Sequence, residues 1–257
     1  MSMVAASISN TRAWVPYCGP GADPASLLTD WNLDPPLLLA LAAAAVWIGM
    51  KFVRTRHGGA AAGAWLVLFA LFVTPLCAMS AALFSVRVAN HIALVAAAAP
   101  PLSAAMGQVR PIERGAGFAT IAIGAHVAVF WLWHGPAPYA FALSYDAGYW
   151  LMQLSLLVTA IGFWRCVGAR CDRPVALASI LTGFVAQMGF LGALIAFAPE
   201  PLYIPHFATT APWELSPLAD QQLAGLLMWV PGMVPYLAVL VVVVRRWFVR
   251  LNAESPA

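Results

Sequence analysis

Seven apolar stretches, each near the roughly 20 residues a helix needs to cross a hydrocarbon core, constrain this chain most. They cover residues 35–52, 60–83, 88–106, 117–133, 148–165, 174–198 and 218–244. Only 9% of the 257 residues are charged, against roughly a quarter in soluble domains. In a bilayer every backbone N–H and C=O needs an internal partner, and apolar runs of this length meet that demand as helices. The expected fold is all-α: a polytopic membrane protein with seven transmembrane helices in one bundle. Residues 1–34 read as a retained extracytoplasmic extension, since no basic region precedes a compact apolar core. Residues 35–247 are then the transmembrane domain and 248–257 a cytoplasmic tail.

The connections alternate in charge. One set (Lys51, Arg54, Arg56; Arg110, Arg114; Arg165, Arg170, Arg173; Arg245, Arg246, Arg250) holds eleven bases and three acids. The other holds two bases, Arg12 and Arg87, and seven acids. Cytoplasmic loops carry the excess of Lys and Arg, so the N-terminus is expected outside and the C-terminus inside. This places Arg87 in a short outer turn between the second and third spans. The net charge of +3 follows from topology and gives no nucleic-acid footprint. The spacing of Cys18, Cys77, Cys166 and Cys171 matches no zinc or thioredoxin pattern, and unpaired thiols are expected.

Trp213–Pro235 is the one stretch where acidic and amide side chains run straight into a long apolar segment. Ser216 and Pro217 read as an N-cap and first helical position, with Asp220 in the first turn, where the helix dipole favours an anion. Pro231 and Pro235 each remove an amide donor and interrupt the same helix, as Pro100 and Pro101 should kink the third. Carbonyls freed inside a membrane need protein or a cavity beside them.

Four histidines lie on the outer side or on a helix leading to it. His91 sits about 6 Å into the third helix, His134 ends the fourth, and His126 lies about 12 Å deeper than His134. His206 is in the long acidic loop. Met79 and Cys77 end the second helix on the same side. Imidazole with thioether or thiolate suits Cu(I), while Asp220 is a harder donor. Each also has a plain structural use: interfacial hydrogen bonding for the histidines, packing for Met79, helix capping for Asp220, and an aromatic belt for Trp229.

The segments WNLDPPLLLAL (31–41), HIALVAAAAPPL (91–102), WLWHGPAPY (131–139) and SPLADQQLAGLLMWVPG (216–232) resemble, in order and spacing, the seven-span CtaG family of bacterial cytochrome c oxidase assembly factors. The resemblance implies a non-enzymatic factor of the bacterial inner (plasma) membrane, acting at the copper-insertion step of haem–copper oxidase maturation. It implies copper as the metal and matches His91, His134, Asp220 and Gln221 to family motifs; with His126 and Met79 added from their depth and donor type, the candidate ligands are His91, His134, His126, Met79 and Asp220. Gln221, Trp229, His206 and Arg87 are candidate binding residues. The implied partners are a nascent or assembled oxidase subunit, membrane lipid and a second copy of the chain, with no nucleic acid. Two departures stand out: Arg87 occupies a usual histidine position, and Tyr149 and Gln153 occupy a usual histidine pair. An interaction-only paralogue or accessory subunit without metal, a haem protein and an ion-conducting protein are the alternatives.

Overall fold

The computed structural model describes residues 16–52, 55, 57–171 and 173–254. Arg12, Arg54, Arg56 and Asp172 of the charge pattern, and the last three residues of the expected tail, lie outside the described residues. Among the described residues there is no strand. Helices α1 (Pro35–Phe52), α2 (Gly58–Phe72) and α3 (Leu76–Ala82) are followed by α4 (Phe84–Ala93) and α5 (Ala99–Ala105). Then come α6 (Ala116–His134), the short α7 (Pro136–Ala142), α8 (Asp146–Gly168) and α9 (Pro174–Ala196). Helix α10 (Pro217–Trp229) and α11 (Val234–Glu254) complete the chain, so helix continues beyond residue 247 into the expected tail. Six helical units are long and apolar enough to cross a membrane, and the bent α2–α3 pair makes a seventh.

Three of the breaks fall at prolines, and at the first two a donor from elsewhere in the chain meets a carbonyl of the bend. Helices α2 and α3 meet at 48° around Pro75. Asn32 covers that bend, its side-chain amide donating to the Phe72 carbonyl (3.0 Å) and its backbone N–H to Val73 (2.9 Å). Ahead of Pro100 and Pro101 the third span widens into a π-turn over Leu94–Ala98. The Trp164 indole N–H takes the Val95 carbonyl of that turn at 2.7 Å. A single 3-10 turn, Pro231–Met233, separates α10 from α11.

The cysteine expectation is overturned for Cys18 and Cys77. Cys18 and Cys77 form a disulfide that ties the N-terminal extension to α3, 59 residues away in sequence. A loop of that length raises the unfolded chain's entropic penalty by about 4 kcal/mol in the chain-entropy account. Tyr17 beside it stacks on Tyr149 (5.2 Å), and the Trp213 indole donates to the Ala22 carbonyl (3.0 Å). The extension therefore roofs one end of the bundle.

The opposite end is closed by one buried ion pair. Arg165, in the last turn of α8, grips Glu113 with Nε (2.9 Å) and Nη2 (2.5 Å). It also donates to the carbonyls of Ser103, Gly107 and Gln108. The guanidinium holds the Glu113 carboxyl down at about 2, from an ordinary 4.5. A carboxylate with a depressed folded-state value contributes its stability above its unfolded value and loses it as that value is passed downward. The difference in unfolding midpoint between wild type and Glu113→Gln, followed by thermal scans in detergent, is thus expected to be constant above about pH 5. It should shrink towards pH 2; a pH-independent difference contradicts the pairing.

Candidate functional site

Leu83 is extended (φ −122°, ψ 129°), so α4 begins at Phe84 and presents unsatisfied N–H groups there. Asp220 meets them from another helix. Its carboxylate accepts from the Phe84 N–H (2.7 Å), the Ser85 N–H (3.1 Å) and the Ser85 hydroxyl. Ser216 caps Asp220's own helix by accepting from the Ala219 N–H (3.1 Å), as the sequence indicates. Asp220 thus caps its neighbour, with both oxygens engaged. Gln221 next to it accepts from the Leu202 N–H (2.6 Å) and donates to the Ile195 (3.2 Å) and Glu200 (3.3 Å) carbonyls. The Asp–Gln pair fastens α4 on one side and the loop after α9 on the other.

That loop folds inward. Tyr203 stacks on Phe84 (3.6 Å between ring centroids) and donates its hydroxyl to the His134 carbonyl (2.7 Å). His206 is buried rather than at the surface: its Nδ1–H donates to the Ala82 carbonyl (3.2 Å), which leaves Nε2 to accept from the Tyr139 hydroxyl (2.6 Å). Burial pulls the His206 imidazole down to about 3, with the Arg87 charge acting the same way, so it is neutral at physiological pH.

Beneath this roof lie Arg87, His91, His134, Tyr149 and Gln153. Arg87 is not in an outer turn. Capping by Asp220 starts α4 early enough to carry it into the bundle, at 0% exposure. Its guanidinium carbon lies 5.1 Å from the Tyr149 ring centroid, and Tyr149 is covered on its other side by Tyr17. A cation–π contact of this kind recovers about 0.5–2 kcal/mol, whereas a buried unpaired ion costs several. His91 follows four residues later on the same helical face. Its ring lies 5.3 Å from that of His134, nearly perpendicular to it (88°).

The hydrogen bonds fix which nitrogens are available. His134 Nδ1–H donates to the Phe130 carbonyl (2.7 Å), so Nε2 carries a lone pair with no partner. The Gln153 amide nitrogen sits 3.4 Å from His91 Nε2 and donates to it, which leaves His91 Nδ1–H as a donor with no acceptor. Turning the Gln153 amide over would reverse this, placing the proton on Nε2 and a bare lone pair on Nδ1. One side-chain amide decides whether the pair presents two lone pairs or one lone pair and one N–H.

The other candidates are elsewhere or differently engaged. His126 is stacked on Phe184 (5.0 Å, 14°) and bonds Thr159 through Nδ1 (3.1 Å). Eight residues of helix, about 12 Å, separate it from His134. Met79 is half-buried on α3. Trp229 packs across Gly189 of α9 and Phe197 just beyond its end. Among the described residues, no group of three or more His, Cys, Asp or Glu side chains could hold a metal ion. The structure adds Tyr139, Tyr203 and the disulfide, none of which the sequence singles out. The proline-flanked PAPY element after His134 was the only available sign of Tyr139.

A family model described as cytochrome c oxidase caa3 assembly factor (Caa3_CtaG) matches residues 39–250. No curated protein matches the chain, and no solved structure does.

Proposed function

Since the chain belongs to the cytochrome c oxidase caa3 assembly factor family, we propose that it is a non-catalytic factor of the bacterial plasma membrane that handles Cu(I) for a maturing haem–copper oxidase. The copper is cargo. The observation that carries the reading is the His91–His134 pair: two buried imidazoles on different helices, 5.3 Å apart. Imidazole suits copper, and with Gln153 turned over both rings offer a bare nitrogen. The pair lies at the extension end of the bundle, opposite Arg110, Arg114 and Arg245, which supports an outward-facing site. Tyr203 and His206 hold the loop across that end, where an oxidase subunit would dock.

A second reading is favoured by Arg87. A fixed guanidinium beside the pair opposes a cation by about 3 kcal/mol at 6 Å and an effective dielectric of ~20. On that reading the protein assists assembly by contact alone. Metal analysis of purified wild type, His91→Ala and His134→Ala, loaded with Cu(I) and dialysed, separates the two. Near-stoichiometric copper in wild type, falling at least ~10-fold in either variant, is the expected result. Equal and negligible copper in all three leaves the contact reading.

A further inference from the structure

Among the described residues Arg87 heads the largest fully buried side chains, and although the Tyr139 and Tyr149 hydroxyls lie against its guanidinium, Nε, Nη1 and Nη2 make no hydrogen bond of ordinary geometry. Arginine cannot escape by losing its proton, as a buried lysine can. Nor is any carboxylate among the described residues ion-paired with it. Among the described residues the ion pairs are Arg110–Glu113 and Arg165–Glu113. Asp220 spends its oxygens on Phe84 and Ser85. The flanking phenols are neutral, and burial raises the Tyr139 hydroxyl further from ionisation. His91 Nδ1–H, one helical turn from Arg87, is another donor without an acceptor. The guanidinium has no direct ion-pair partner among the described residues, the Asp220 carboxylate being engaged at the start of α4, and the cluster holds a surplus of N–H groups.

We propose that Arg87 and His91 form a binding site for a small monovalent inorganic anion of the halide class. One negative charge pairs directly with one guanidinium; the second charge of a dianion would be buried with no partner. A spherical acceptor can take several N–H groups without donors of its own. The walls, Phe84, Tyr139 and Tyr149, are all at most 1% exposed, which disfavours a carboxylate brought in on a partner's chain. The site goes beyond the copper reading and does not depend on it: His91 joins only while Gln153 donates to its Nε2 and Nδ1 keeps its proton, the arrangement that excludes copper at that nitrogen, whereas Arg87 serves the anion in either case.

The test uses metal-free protein and bromide. Crystals grown in sodium bromide and measured at the bromine absorption edge are expected to show an anomalous peak in hydrogen-bonding range of the Arg87 nitrogens. In detergent, the thermal unfolding midpoint should rise saturably as bromide replaces gluconate at constant ionic strength. Half-saturation should weaken about 30-fold in Arg87→Gln, the loss expected for a charged hydrogen bond. Bromide found only at other sites, or a wild-type midpoint indifferent to bromide, overturns the proposal. Both readouts are taken on wild type, so they stand even if Arg87→Gln does not fold.

Discussion

Asp220→Ala is expected to lose about 3–6 kcal/mol of stability, with the unfolding midpoint in detergent falling accordingly. Among the described residues the carboxylate is the sole partner of the Phe84 and Ser85 N–H groups, and it also accepts from the Ser85 hydroxyl. Phe84 and Ser85 are 1% and 2% exposed, so water cannot replace it. Each buried donor left without an acceptor costs about 1–3 kcal/mol, and the positive end of the α4 dipole loses its neutralising charge as well. Asp220→Asn keeps one acceptor oxygen but turns an NH₂ towards the remaining donors, and should lose about half as much. The effect reaches the site because α4 carries both Arg87 and His91. On the copper reading proposed above, a folded but weakened Asp220→Asn protein should also show reduced copper retention. An unchanged midpoint in Asp220→Ala would mean that α4 is not capped from α10.

Asp220 also marks how far the sequence could be read. Features set by near neighbours were legible: the apolar runs, the Ser216–Pro217 helix start, the breaks at Pro100 and Pro231, and the depth of His126 below His134. Features set by distant partners were not. Phe84 and Asp220 are 136 residues apart, and without that bond the third span looks as though it begins after Arg87. One displaced helix start turned a buried charge into a loop residue. The Cys18–Cys77 disulfide spans 59 residues with no local spacing to betray it. His206 stands in a polar, acidic loop that gives no hint of its burial against Tyr139. The meeting of His91 and His134 was expected from depth and family resemblance, but depth could not give the Gln153 bond that sets their protonation.

Gly225→Ala is expected to damage the protein about as severely, by roughly 3 kcal/mol. A Cβ at 225 would lie 2.5 Å from the Ala196 nitrogen, 2.6 Å from the Gly192 oxygen and 2.7 Å from the Ala196 Cβ. Two of these are backbone atoms of α9 and cannot swing aside. The contact is reciprocal, since a Cβ on Gly192 would sit 2.9 Å from the Gly225 oxygen. Helices α9 and α10 therefore touch backbone to backbone, the close approach that small residues permit where lipid offers no hydrophobic drive to association. Relieving the overlap means moving α10, and α10 carries Asp220 and Gln221 with it, so the strain is transmitted to the cap of α4. Gly183→Ala is the control: it lies on the same helix α9 with nothing within 4 Å of its Cβ, and should be neutral or slightly stabilising. Ala196→Gly, which removes the 2.7 Å contact but not the backbone ones, should restore only part of the loss in Gly225→Ala. Thermal midpoints of the three variants decide it. If Gly225→Ala matched Gly183→Ala, the two helices would have to be farther apart than the structure places them, and Asp220 could not reach Phe84 as described.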